Sequence, residues 1–99
     1  MSSYVLSFRG RSDRKISPDE EAAWGQWFQE IGNTVVDFGH RVGQVSVVGD
    51  SGTRDDGQEV VRGYIVIRAD DLDAAAATAK GCPGLQHGGR VEVGEAIEM

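Results

Sequence analysis

In Arg62-Gly63-Tyr64-Ile65-Val66-Ile67-Arg68-Ala69, both sides of an extended chain are apolar. Tyr64 and Val66 fall on one side, Ile65 and Ile67 on the other. A strand with two apolar faces needs cover on both sides. It therefore sits within a sheet whose two surfaces must both be packed. The second clear strand is Tyr4–Arg9, where Tyr4, Leu6 and Phe8 share one face and Val5, Ser7 and Arg9 the other.

The covers on one side are two helices. Ser17-Pro18-Asp19-Glu20 reads as a helix start, with Ser17 accepting from the amide three residues on and Glu20 reaching back to the Ser17 N–H. Trp24, Trp27, Phe28 and Ile31 then follow at i, i+3, i+4, i+7, so both tryptophans are expected to pack in a core. Gly32-Asn33 is expected to end the helix in left-handed fashion. The second helix starts at Asp70 or Asp71 and is expected to bury Leu72, Ala75, Ala76 and Ala79, with Gly81 and Pro83 stopping it. Between the helices, Val35–Phe38 and Gln44–Val48 read as extended, broken around Gly39 and Gly43. The polar run Gly49–Gly57 reads as a hairpin tip rather than a phosphate-binding loop. Arg90–Val93 begins the last strand.

The order is thus β-α-β, a loop, and β-α-β within one 99-residue domain. This is an α+β, ferredoxin-like split βαβ (βαββαβ) pattern with an antiparallel sheet. Right-handed crossovers place both helices on one sheet face. No third helix is left for the other face, so a second copy of the chain is the expected cover, giving a homodimer with sheets packed face to face and a cleft between them.

Composition removes several function classes. A net charge of −6, with ten scattered basic residues, argues against nucleic acid as a partner. No apolar run reaches the roughly 20 residues that span a bilayer, and the first residues lack the apolar segment of a signal peptide. No membrane association and a cytoplasmic location are therefore expected. Cys82 is the one cysteine, so neither an intrachain disulfide nor a thiolate metal cage is possible. His40 and His87, 47 residues apart, match no compact metal-ligand spacing. Neither a metal nor another cofactor is expected.

Two groups of residues carry possible chemistry. Asp37 and His40 are candidates for an acid–base pair, His40 as a base oriented by Asp37. In a regular strand, residues three apart point to opposite faces about 10 Å apart, so the pair can meet only if the chain turns at Phe38-Gly39. Otherwise Asp37 caps a bend and His40 is solvated. The second group is Arg9, Arg62, Tyr64 and Arg68, expected to line one face of the sheet and suited to a small carboxylate or phosphate. Gln86-His87-Gly88-Gly89-Arg90 reads as a plain turn, with a small anion nest as the alternative. Cys82, at a helix end and followed by Pro83-Gly84, reads as structural.

The stretches "SPDEEAAWGQWFQEIG", "VVDFG", "RGYIVIRADDLDAAAATAKGCPGL", "HGGRVEV" and "EAIEM" together resemble the YCII-related family, particularly its branch named for a DGPF motif. The resemblance implies a dimeric α+β barrel. Some YCII-like proteins pair a histidine on the first helix with an aspartate on the next strand, and Asp37 stands where that aspartate falls. The first helix here, Pro18–Ile31, has no histidine, and the DGPF stretch reads Asp56-Gly57-Gln58-Glu59. The resemblance therefore implies fold and assembly more than a reaction. Three functions follow as expectations: a dimeric module holding a small, anionic ligand, a small enzyme using Asp37/His40, or a protein-interaction or regulatory accessory domain.

Overall fold

The structure is a computed structural model, and it describes residues 2–11, 13–49, 52–54 and 59–98. Its elements in chain order are β1 (Ser2–Arg11), α1 (Pro18–Ile31), β2 (Val35–Arg41), β3 (Val47–Gly49), β4 (Gly52–Arg54), β5 (Glu59–Ala69), α2 (Leu72–Ala79) and β6 (Arg90–Glu95). Four strands form one sheet in the order β2-β5-β1-β6, all antiparallel, and β3 pairs with β4 as a separate hairpin. This is the ferredoxin-like βαββαβ arrangement, with β1 and β5 as central neighbours. The Asp56–Gln58 part of the altered DGPF stretch lies outside the described residues.

Alternation along β1 and β5 decides which side faces the helices. Tyr4, Leu6, Phe8, Ile65 and Ile67 are buried and pack with Trp27 of α1 and Ala75 and Ala79 of α2. Leu6, Ile65 and Ile67 are the largest side chains fully removed from solvent. The opposite faces carry Val5, Ser7, Tyr64 and Val66, which stay half-exposed, and the register sets Val5 against Val66 and Ser7 against Tyr64. Cross-strand partners lie on the same face, so these four form one patch on the uncovered side.

The helix ends differ in detail from the expectations. Ser17 accepts from the Glu20 amide at 3.2 Å, and Asp71 accepts from the Ala74 amide at 2.8 Å. Gly32, however, is right-handed and leads into a tight 3-10 turn over Gly32–Thr34. There the Thr34 hydroxyl donates to the Ile31 carbonyl at 2.7 Å and the Val35 amide to that of Gly32. These bonds satisfy helix-end carbonyls without a left-handed residue. Leu72 is 52% exposed, because α2 meets the core only from Ala74 onwards. Gly81 sits so close to Trp27 that a Cβ would fall 2.8 Å from the indole nitrogen. No helix among the described residues is long and apolar enough to cross a membrane.

Candidate functional site

Strand β2 is irregular where the first candidate pair lies. Asp37 pairs with Val66 and His40 with Tyr64, so three steps along β2 match two along β5. The extra residue is absorbed at Gly39, whose φ of 59° lies in the left-handed region. A regular strand would separate Asp37 and His40 onto opposite faces. The bulge restores their parity, and both project from the open side of the sheet, beside Val66 and Tyr64. The Asp37 carboxylate accepts from the Gly39 N–H at 2.8 Å and so caps the bulge. The His40 ring leans on Tyr64, with centroids 6.2 Å apart.

The second group is only partly assembled. Tyr64 and Arg9 occupy the open face, and Arg9 pairs with Glu92 at 3.0 Å while donating to the Glu59 carbonyl at 3.3 Å. Arg62 lies at a register shift between β1 and β5 and donates to the Gly43 carbonyl at 3.2 Å. Arg68 is exposed, opposite Ser3, and donates to the Asn33 carbonyl at 3.3 Å. Six residues separate Arg68 from Arg62, about 20 Å along a strand, so these two do not share a site.

Between α1 and the β2–β5 edge, on the helix side of the sheet, lies a cleft of about 310 Å³. Its walls are Phe8, Trp24, Phe28 and Phe38, and its lining also includes His40, Arg41, Arg62 and Tyr64. Phe38, 58% exposed, meets Phe28 edge to face at 6.0 Å. Arg41 is tied to α1 by a 3.2 Å ion pair with Glu21. Aromatic walls with the basic residues Arg41 and Arg62 beside them suit a small ligand that has both an apolar body and an anionic end.

A second cleft, of about 150 Å³, adjoins the first and shares Phe8, Ile16, Trp24 and Arg62 with it. At its base is Glu20, whose side chain is 2% exposed. The Glu20 carboxylate accepts from the Trp24 indole N–H at 3.1 Å and from the Arg14 guanidinium, with His87 Nε2 at 3.7 Å. Burial pushes the Glu20 carboxyl upward, but the Trp24 N–H and the Arg14 guanidinium outweigh it, with His87 adding to them. The result lies below the usual carboxylate range. Cys82 lines the same cleft, buried, and its thiol is raised to about 11 by burial, against the opposing effect of the Gly84 and Leu85 amides. A thiol held protonated in this way is a poor nucleophile at neutral pH.

The family model for the YCII-related domain matches residues 19–99. The chain belongs to the YCII-related family. No curated protein matches it. The matched span takes in α1, the β2 bulge and the Pro83–His87 turn, and so contains most of the lining of both clefts.

In this YCII-related protein the Glu20 cluster escapes the sequence reading for a clear reason. Ser17-x-x-Glu20 looks like a capping box, which assigns the Glu20 side chain to the helix end. In the fold the Glu20 amide serves the cap, while its carboxylate turns inward. One local signal was present: Trp24 stands four residues after Glu20, on the same helix face. The approach of His87, 67 residues further along the chain, has no sequence signature. At the Gly88-Gly89 turn, both amides donate to the Gly84 carbonyl, so they form no anion nest. His40 and His87 line different clefts, and no metal-holding group of three His, Cys, Asp or Glu occurs among the described residues.

Proposed function

We propose that this YCII-related protein is a homodimer that packs the open faces of two sheets together and binds a small ligand with an apolar, aromatic body and an anionic group. The observation that carries the ligand class is the cleft lining, in which Trp24, Phe28 and Phe38 stand beside His40, Arg41, Arg62 and Tyr64. His40 and Tyr64 project from the open face beside the Val5–Val66 pair, so a second sheet packed on that face would meet these two side chains. The apolar Val5–Val66 pair at the centre of the open face supports such a cover.

A thermal-shift series with small aromatic and aliphatic carboxylates tests the reading. Aromatic acids are expected to raise the melting temperature more than aliphatic acids of equal charge, and Phe38→Ala to remove the difference. No stabilisation by any member of the series would sink the ligand assignment.

One observation favours a second reading, in which the protein is a small acid–base enzyme. The bulge sets Asp37 and His40 on one face, as a base and its orienting carboxylate require. In that case His40→Asn would abolish turnover of a ligand found in the screen while leaving its binding within about twofold.

A further inference from the structure

The two tryptophans of α1 share one apolar stripe in the sequence, and the fold gives them different surroundings. Trp27 is buried, whereas Trp24 is half-buried and lines both clefts. A ring that lines two adjoining clefts is a partition between them, and its orientation sets the room on each side.

That orientation is held from several directions. The indole N–H donates to Glu20 Oε2 at 3.1 Å, and the other carboxylate oxygen, Oε1, is held by the Arg14 guanidinium. The carboxylate is therefore tied at both oxygens and cannot turn away from the ring. Next to the N–H on the same edge of the indole, Gly84 lies so close that a Cβ would fall 3.1 Å from Trp24 Cζ2. Phe8 meets the ring edge to face at 4.9 Å, and Phe28 packs beside it at 5.7 Å.

We infer that Trp24 sets the size of ligand that the aromatic cleft accepts, admitting acids with one ring and excluding those with two in line, and that Glu20 and Gly84 are positioning residues acting through it. The inference rests on the aromatic-acid reading of that cleft. Neither Glu20 nor Gly84 lines the aromatic cleft, so an effect of either on ligand choice there has to pass through the ring. Turning the ring aside would join the space of about 150 Å³ beyond it to the cleft of about 310 Å³. It would also take a donor from a carboxylate that is 2% exposed, where water does not readily replace it. The partition therefore stays closed against a longer ligand.

Calorimetric titration of the full chain with benzoate and with 4-phenylbenzoate, which have equal charge and one or two rings in line, tests this. The unaltered chain is expected to bind benzoate more tightly, by about fivefold or more. Glu20→Leu removes the acceptor of the indole N–H and is expected to erase that preference. Trp24→Phe removes the donor instead, keeps an aromatic ring against Phe8, and is expected to do the same should Glu20→Leu fold poorly. Glu20→Gln retains an oxygen that can accept from the N–H and is expected to keep the preference within about twofold. An unchanged preference in both Glu20→Leu and Trp24→Phe, or an equal loss in Glu20→Gln and Glu20→Leu, would overturn this inference while leaving the aromatic-acid reading in place. Binding of neither acid by the unaltered chain would overturn both.

Discussion

Gly39 of β2 lies against the main chain of Tyr64 of β5: a Cβ at position 39 would fall 2.1 Å from the Tyr64 carbonyl oxygen. That approach and the positive φ of 59° are two separate reasons for glycine at the bulge. Gly39→Ala meets both the clash and the left-handed backbone, and is expected to cost about 2–4 kcal/mol. Gly43→Ala has no heavy atom near its new Cβ and serves as the control, with a change within about 0.5 kcal/mol. Urea denaturation of the two variants checks this. Equal stability of the pair would mean that β2 does not hold the bulge.

Glu20 gives a prediction whose pH dependence can be worked out. Its carboxyl is held below the usual range in the folded chain, so the unfolded chain binds its proton first as pH falls. The stability it supplies is present above the ordinary carboxylate pKa and disappears as pH drops through the folded value. Glu20→Gln keeps the shape, loses the charge, and leaves Arg14 at the base of the cleft without its counter-ion. The expected loss at pH 7 is about 2–4 kcal/mol, shrinking towards pH 3. Denaturant midpoints of both proteins across pH 3–8 measure it; parallel curves would show that Glu20 is not the group responsible.

The two-sided apolar strand and the helix spacing made the four-stranded sheet and its helix-covered face legible, because period-2 and period-3.6 patterns encode burial directly. The sequence separates Val5 and Ser7 from Leu6 and Phe8, and Tyr64 and Val66 from Ile65 and Ile67, and the register shows that Val5, Ser7, Tyr64 and Val66 are the sets on the open face. The same rule failed at Asp37 and His40. A bulge adds one residue and inverts parity, and Gly39 announced only that a break was possible. Leu72 was misjudged because a helical stripe does not tell where along its length the helix reaches the sheet. The second cleft was invisible for a different reason: its lining runs from Phe8 to Val91, and only the packing of α1 and the Pro83–His87 turn against the sheet brings these residues together.

Cys82 provides a probe of the packing around the second cleft. With the thiol buried and raised to about 11, only about one molecule in a thousand carries a thiolate at pH 8. Alkylation by iodoacetamide at pH 8 is therefore expected to be at least a hundredfold slower in the native protein than in urea, as mass spectrometry can follow. The linkage runs opposite to that of Glu20. A thiol pKa raised by folding supplies stability below the ordinary thiol pKa, and that stability is lost as pH rises towards the folded value. Cys82→Ala should flatten this alkaline decline, and rapid native labelling would show instead that the Pro83–His87 turn opens readily.

The proposed homodimer can be tested at the open face. Val5 and Val66 stand directly opposite each other on the two central strands, half-exposed, with Ser7 and Tyr64 as the next pair. In a single chain these side chains touch solvent, and acidic replacements there cost little, within about 1 kcal/mol. In a dimer packed through this face, the same replacements bury like charges against one another in each copy and across the interface. Val5→Glu/Val66→Glu is therefore expected to yield a folded monomer, and the unaltered chain to scatter light with twice the mass of one chain. Charge placed elsewhere gives the comparison: Val48→Glu, on the outlying β3–β4 hairpin, is expected to leave the dimer intact. A monomeric unaltered protein at concentrations of about 100 μM would overturn the homodimer and leave His40 and Tyr64 on an uncovered face. Loss of the dimer in the double variant, with the aromatic-acid stabilisation kept, would show that the helix-side cleft is complete within one chain, on the other side of the sheet from the interface.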